Sequence, residues 1–84
     1  MAPSGADKAQ ARLSFKEKRE LEQLPDRIAV IEAEQGALQA QLANPAFYQG
    51  PAEQIRGVQV RLAELDTELE AAMARWEALE ARAG

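Results

Sequence analysis

The sequence predicts an all-α fold, an antiparallel two-helix coiled-coil hairpin with its first helix kinked at Pro25. Three observations lead there. Large apolar residues at Leu21, Leu24, Ile28, Ile31, Leu38 and Leu42 alternate three and four apart, with Gln35 filling the one gap. A second run, Ile55, Val58, Leu62, Leu65, Leu69, Ala72, Trp76 and Leu79, keeps the same rhythm. Such steps average about 3.5 residues, the period of a coiled-coil seam. Between the runs, Asn44-Pro45 and Gly50-Pro51 interrupt the helix and turn the chain back on itself.

Length and composition narrow the chemistry. A chain of 84 residues makes one small domain, too small to enclose a large catalytic cavity. It has no Cys and no His. That removes disulfides, thiolate sites, the commonest general base and the commonest metal ligand. Net charge is −4, unevenly spread. Residues 1–19 sum to +3 and residues 20–84 to −7, a basic end on an acidic rod. No apolar signal segment follows Met1, and the longest uncharged run, Gln35 to Ala52, is too rich in Gln, Pro and Gly to span a membrane. A cytoplasmic location is expected.

Residues 1–13 are small and charged and read as a disordered linker end. Ser14-Phe15-Lys16-Glu17 fits a capping box, so helix 1 should start at about Phe15 and run to about Ala43. Pro25 lacks an amide hydrogen and disfavours helical geometry at Leu24. The seam stays in phase across it, which suggests a kink or a short 3₁₀ segment at 22–25 with Pro25 opening a new helical stretch. Asn44, in the left-handed conformation, and Pro45 should stop the helix. The tip is expected at 44–50, with one ring of Phe47 and Tyr48 tucked in and one partly exposed. Helix 2 should run from about Pro51 to Arg82, with Trp76 packed near Leu21 and Leu24 and with Phe15 near Leu79.

Flanking charges choose between two registers seven residues apart. With Leu38 opposite Ile55, Ile31 opposite Leu62, Ile28 opposite Leu65 and Leu24 opposite Leu69, the pairs Glu34–Arg61, Arg27–Glu68 and Glu20–Arg75 are attractive. The alternative places Glu34 beside Glu68 and Arg27 beside Arg75. Each exposed pair contributes only about 0.2–1 kcal/mol, yet the terms agree in sign and select the first register.

No catalytic constellation is found. The glycines at 5, 36, 50, 57 and 84 do not form a phosphate-binding loop, and Ser14 and Thr67 have no base beside them. Carboxylates four apart, Glu64–Glu68 and Asp66–Glu70, read as a solvated face rather than as metal ligands, so no metal or cofactor site is expected in this chain. The functional candidate is the basic group Arg12, Lys16, Lys18, Arg19 and Arg27, joined by Arg75 and Arg82 from the facing helix end. Such a patch can neutralise phosphates without reading sequence.

Three stretches carry a family resemblance. Leu13-Ser14-Phe15-Lys16-Glu17-Lys18-Arg19-Glu20-Leu21-Glu22-Gln23-Leu24-Pro25 resembles the opening motif of the C-terminal domain of ABC-F ATPases, the Uup type in particular. Asn44-Pro45-Ala46-Phe47-Tyr48 resembles that domain's hairpin tip, and Arg75-Trp76-Glu77-Ala78-Leu79-Glu80 its closing motif. Phe15 stands where the family often has Tyr. The resemblance implies a soluble parent protein with two ATP-binding cassettes, which would hold ATP and Mg outside this chain. It also implies nucleic-acid contact through Lys16, Lys18 and Arg19. Arg12 and Arg27 rest on charge alone. DNA or structured RNA is the expected partner, with the parent's cassettes and the ribosome as further ones. The alternative is a protein-interaction or spacer coiled coil docking on those cassettes or on the ribosome. The isolated domain is expected to be a monomer, and self-association into a four-helix bundle is the competing state.

Overall fold

The computed structural model describes residues 12–83, so the linker expectation for 1–11 lies outside the described residues. Helix α1 spans Phe15–Ala43, a 3₁₀ turn spans Pro45–Gln49, and helix α2 spans Ala52–Ala83. The two helices pack antiparallel along their length and form a rod of 67 × 18 × 16 Å. Among the described residues no helix is long and apolar enough to cross a membrane.

The start of α1 follows from its first four residues. Ser14 is extended, its hydroxyl accepts from the Glu17 amide at 3.1 Å, and its own amide donates to Glu17 Oε1 at 3.0 Å. Two otherwise unpaired amides are thereby satisfied. Residues 12 and 13 do not behave as linker. Leu13 is half-buried against the core, and the Arg12 carbonyl accepts from Arg82 Nη2 at 3.0 Å.

The predicted break at 22–25 is absent, and α1 is one α-helix with Pro25 inside it. Pro25 is exposed, at the edge of the seam beside Leu21 and Ile28. The missing hydrogen bond and the ring's crowding of the Leu21 carbonyl therefore fall where water can reach. Seam packing on both sides of Pro25 then outweighs its low helix propensity.

The stop at Asn44 also works differently from the expectation. Asn44 is extended, at φ −86° and ψ 115°, and no described residue, glycine included, has positive φ. An extended backbone is what a following proline imposes. The Asn44 side chain accepts from the Ala46 amide at 3.0 Å and so caps the 3₁₀ turn. Phe47 is half-buried and Tyr48 exposed, their rings edge to face at 6.3 Å. Pro51 stands just before α2, its carbonyl accepting from the Gln54 amide at 3.0 Å.

The core is narrow. Leu24 and Ile31 of α1 are buried against Leu65, Ala72 and Leu79 of α2, while Leu21, Ile28, Leu38 and Leu69 are half-buried around them. Each buried set repeats every seven residues, one of the two seam positions per heptad. Two helices cannot enclose both, so the second position faces partly outward. This explains Trp76, which is in phase with the seam but 37% exposed, contrary to the expectation of a core residue. Phe15 departs further. It is 76% exposed, with the Arg19 guanidinium 5.9 Å from its ring centroid. Stepping back from Leu21 by four gives Glu17, not Phe15, as the seam position, so Phe15 falls on the outer face.

The register matches the charge argument at two of three pairs. Arg61 Nε meets Glu34 Oε2 at 2.8 Å, and Arg75 Nε meets Glu20 Oε2 at 2.7 Å. The third, Arg27–Glu68, is replaced: Glu68 lies 3.2 Å from Arg61, which also reaches Glu64 at 3.3 Å. One guanidinium with five donors serves three carboxylates, so Glu68 does not need Arg27. In the seam gap, Gln35 Nε2 donates to Asp66 Oδ1 at 2.7 Å.

Candidate nucleic-acid interface

The open end of the hairpin is built around Glu17. Because it occupies a seam position, its carboxylate points toward α2 as well as back to its own helix start. Arg82 Nη1 donates to Glu17 Oε2 at 2.7 Å and Nη2 to Oε1 at 3.1 Å, while Arg75 Nη2 stands 3.8 Å from the same Oε2. The Arg82 hydrogen bonds, then the Ser14 amide, pull the Glu17 carboxyl down to a pKa of about 2. Arg75 lowers Glu20 in the same way, and Arg61 lowers Glu34. Sequence reasoning assigned Glu17 only to the cap; its seam phase was the signal for the second role. Arg75 and Arg82 were expected to extend the basic patch. Instead they are engaged by Glu20 and Glu17 and close the end of the rod.

The five candidate residues are all exposed, but they do not form one patch. Lys16, Arg19 and Arg27 lie along one stripe of α1, with Gln23 between them at steps of three and four. Lys16 and Arg19 border a shallow depression with Glu20 and Gln23, and Arg27 borders the next with Glu20, Gln23 and Leu24. Lys18, two residues from Lys16, points about 160° away around the helix. It borders a separate depression with Arg12, Leu13, Leu21, Glu22, Arg82 and Ala83. None of Arg12, Lys16, Lys18, Arg19 or Arg27 makes a side-chain ion pair within 4 Å of another described residue.

Chemically, this end can offer fixed cations to anionic oxygens. Among the described residues, no group of three or more His, Cys, Asp or Glu could hold a metal ion, and no polar or charged residue is buried.

Fold and site together define a small coiled-coil module whose cations are displayed at the end where its two helices are clasped. The chain belongs to the ABC transporter C-terminal domain family, whose model matches residues 12–81. It is 45% identical over 74 residues to the ATP-binding protein Uup of Escherichia coli, covering 88% of this chain and 12% of that protein. It is 47% identical over 70 residues to an ATP-binding protein Uup-like of Haemophilus influenzae, covering 82% of this chain and 15% of that one. The chain therefore spans less than a sixth of these relatives' length. A solved structure with a TM-score of 0.75 and 47% identity covers 83% of this chain and 82% of its own. It is the C-terminal domain of the Uup protein, described as a DNA-binding coiled coil motif.

Proposed function

We propose that this chain is a non-catalytic accessory domain of a cytoplasmic ABC-F ATPase and that it holds DNA through phosphates at the open end of the hairpin. ATP and Mg belong to cassettes outside the chain. The observation that carries this reading is the stripe Lys16–Arg19–Arg27. Its cations have no described acidic partner, while the neighbouring carboxylates Glu17 and Glu20 are neutralised by Arg82 and Arg75. The description of the structural neighbour as DNA-binding supports it. Arg12 and Lys18, on the other side of α1, add contacts for a duplex that wraps the end of the rod.

Titration of duplex DNA at several salt concentrations tests the reading. Three to five phosphate contacts give a log–log salt slope between about −2.7 and −4.5. The triple variant Lys16→Gln/Arg19→Gln/Arg27→Gln is expected to bind at least tenfold more weakly and to keep its helical circular dichroism. Unchanged affinity in the triple variant moves the site elsewhere. A parallel titration with a folded RNA hairpin decides which nucleic acid is preferred, and no salt-dependent binding to either overturns the proposal.

A further inference from the structure

The two flanks of the seam are closed unequally. On one, Glu34–Arg61, Glu20–Arg75 and Glu17–Arg82 bridge the helices from the middle to the open end. On the other, the bridge among described residues is the single Gln35–Asp66 hydrogen bond. Beyond it toward the open end, Leu69 is half-buried, Met73 is 46% exposed and Trp76 37% exposed. They stand four and three apart on α2 and form one continuous strip. The other large exposed apolar residues, Phe15, Val30, Tyr48 and Val60, lie apart from it along the rod.

The rim of this strip is acidic. Asp66, Glu70, Met73, Glu77 and Glu80 step four, three, four, three along α2, directly beside the seam row Leu65, Leu69, Ala72, Trp76 and Leu79. Glu70, Glu77 and Glu80 pair with no cation among the described residues, and Asp66 meets only the neutral Gln35. An aromatic residue with a thioether beside it, inside a charged rim, has the composition of a protein-docking centre. The rim repels phosphate, and a second copy laid symmetrically on this strip would set carboxylates against carboxylates.

We propose that the Leu69–Met73–Trp76 strip is a protein-docking surface for a cationic amphipathic helix, apolar side chains on Trp76 and Met73 and Lys or Arg against Glu70, Glu77 and Glu80. It is distinct from the main stripe of the DNA reading, Lys16–Arg19–Arg27, which lies on α1 across the closed flank; of that reading only Arg12 and Lys18 face the other side of α1.

The probe is a synthetic fluorescent 18-residue Leu/Lys peptide with one apolar helical stripe. A control of the same composition has its order scrambled. Titrated into the chain, the striped peptide is expected to shift the Trp76 emission to the blue and to perturb NMR amide signals mainly over 66–80. By peptide anisotropy, Trp76→Ala and the exposed-site variant Glu70→Lys/Glu77→Lys should each weaken binding at least tenfold. The charge variant keeps the seam intact, so it remains informative even where Trp76→Ala loosens the fold. Equal affinity for the scrambled peptide, or amide shifts spread evenly along the rod, would reduce the effect to general charge attraction and overturn the proposal. So would a shift of the Trp76 emission on titration with duplex DNA alone, which makes the strip a nucleic-acid surface. A doubled mass in light scattering that the charge variant alters would hand the strip to a second copy and overturn it as well.

Discussion

Glu17 shows how much one side chain can change. Its carboxylate accepts from the Ser14 amide and from both terminal nitrogens of Arg82. Its folded pKa of about 2 lies below the ordinary 4.5, so the folded chain binds fewer protons than the unfolded chain as pH falls through that window. The stability that Glu17 contributes is fully present above about pH 4.5 and is lost as pH drops toward 2. Glu20 and Glu34 act in the same direction. The variant Glu17→Gln keeps a cap-competent side chain but no charge. Its melting temperature, followed by circular dichroism, should be lower than wild type at pH 7 and should fall less between pH 4.5 and 2. Equal pH profiles would mean that the Arg82 pair adds nothing to folding.

At the scale of the helices, two glycines are weak points without a packing role. A Cβ added at Gly36 or Gly57 would meet nothing within 4 Å, so neither permits a close helix approach. Both lie inside helices, where alanine is favoured by about 0.8–1 kcal/mol. Gly36→Ala and Gly57→Ala should each raise the urea midpoint by an amount equivalent to about 0.5–1 kcal/mol, with the denaturant slope unchanged. A loss of stability in either would show that the helix there is held away from ideal geometry. The same scale separates what was legible in sequence from what was not. The seam, the Ser14 cap and the Asn44-Pro45 stop are local patterns, and local patterns can be read. Pro25 could not be placed correctly because its cost is local while the packing that outweighs it comes from α2. Trp76 could not be placed by period alone, since the three–four rhythm does not state how many helices share the seam.

For the whole molecule, the charge register was readable because Glu34–Arg61 and Glu20–Arg75 are opposite charges at matched distances from the tip. The display of the basic residues was not. A count of cations in residues 12–27 does not show that Lys16, Arg19 and Arg27 share a stripe while Lys18 faces away, or that Arg75 and Arg82 are already engaged. The hairpin also has a direction in time. Its bridges join residues 27, 31, 55 and 65 apart from the tip outward: Glu34–Arg61, Gln35–Asp66, Glu20–Arg75 and Glu17–Arg82. Closing the short loop first costs the least chain entropy. The hairpin should therefore zip from Asn44–Gly50, and the Glu17–Arg82 clasp should form after the rate-limiting step. In stopped-flow chevrons, Arg82→Gln should speed unfolding and leave the folding limb nearly unchanged, with a φ-value near zero. A φ-value near one would place the first contact at the open end instead. Zipping from the tip makes the cation-bearing end the last part to close and the first to open, so the lifetime of that surface is set by unfolding kinetics at one ion pair.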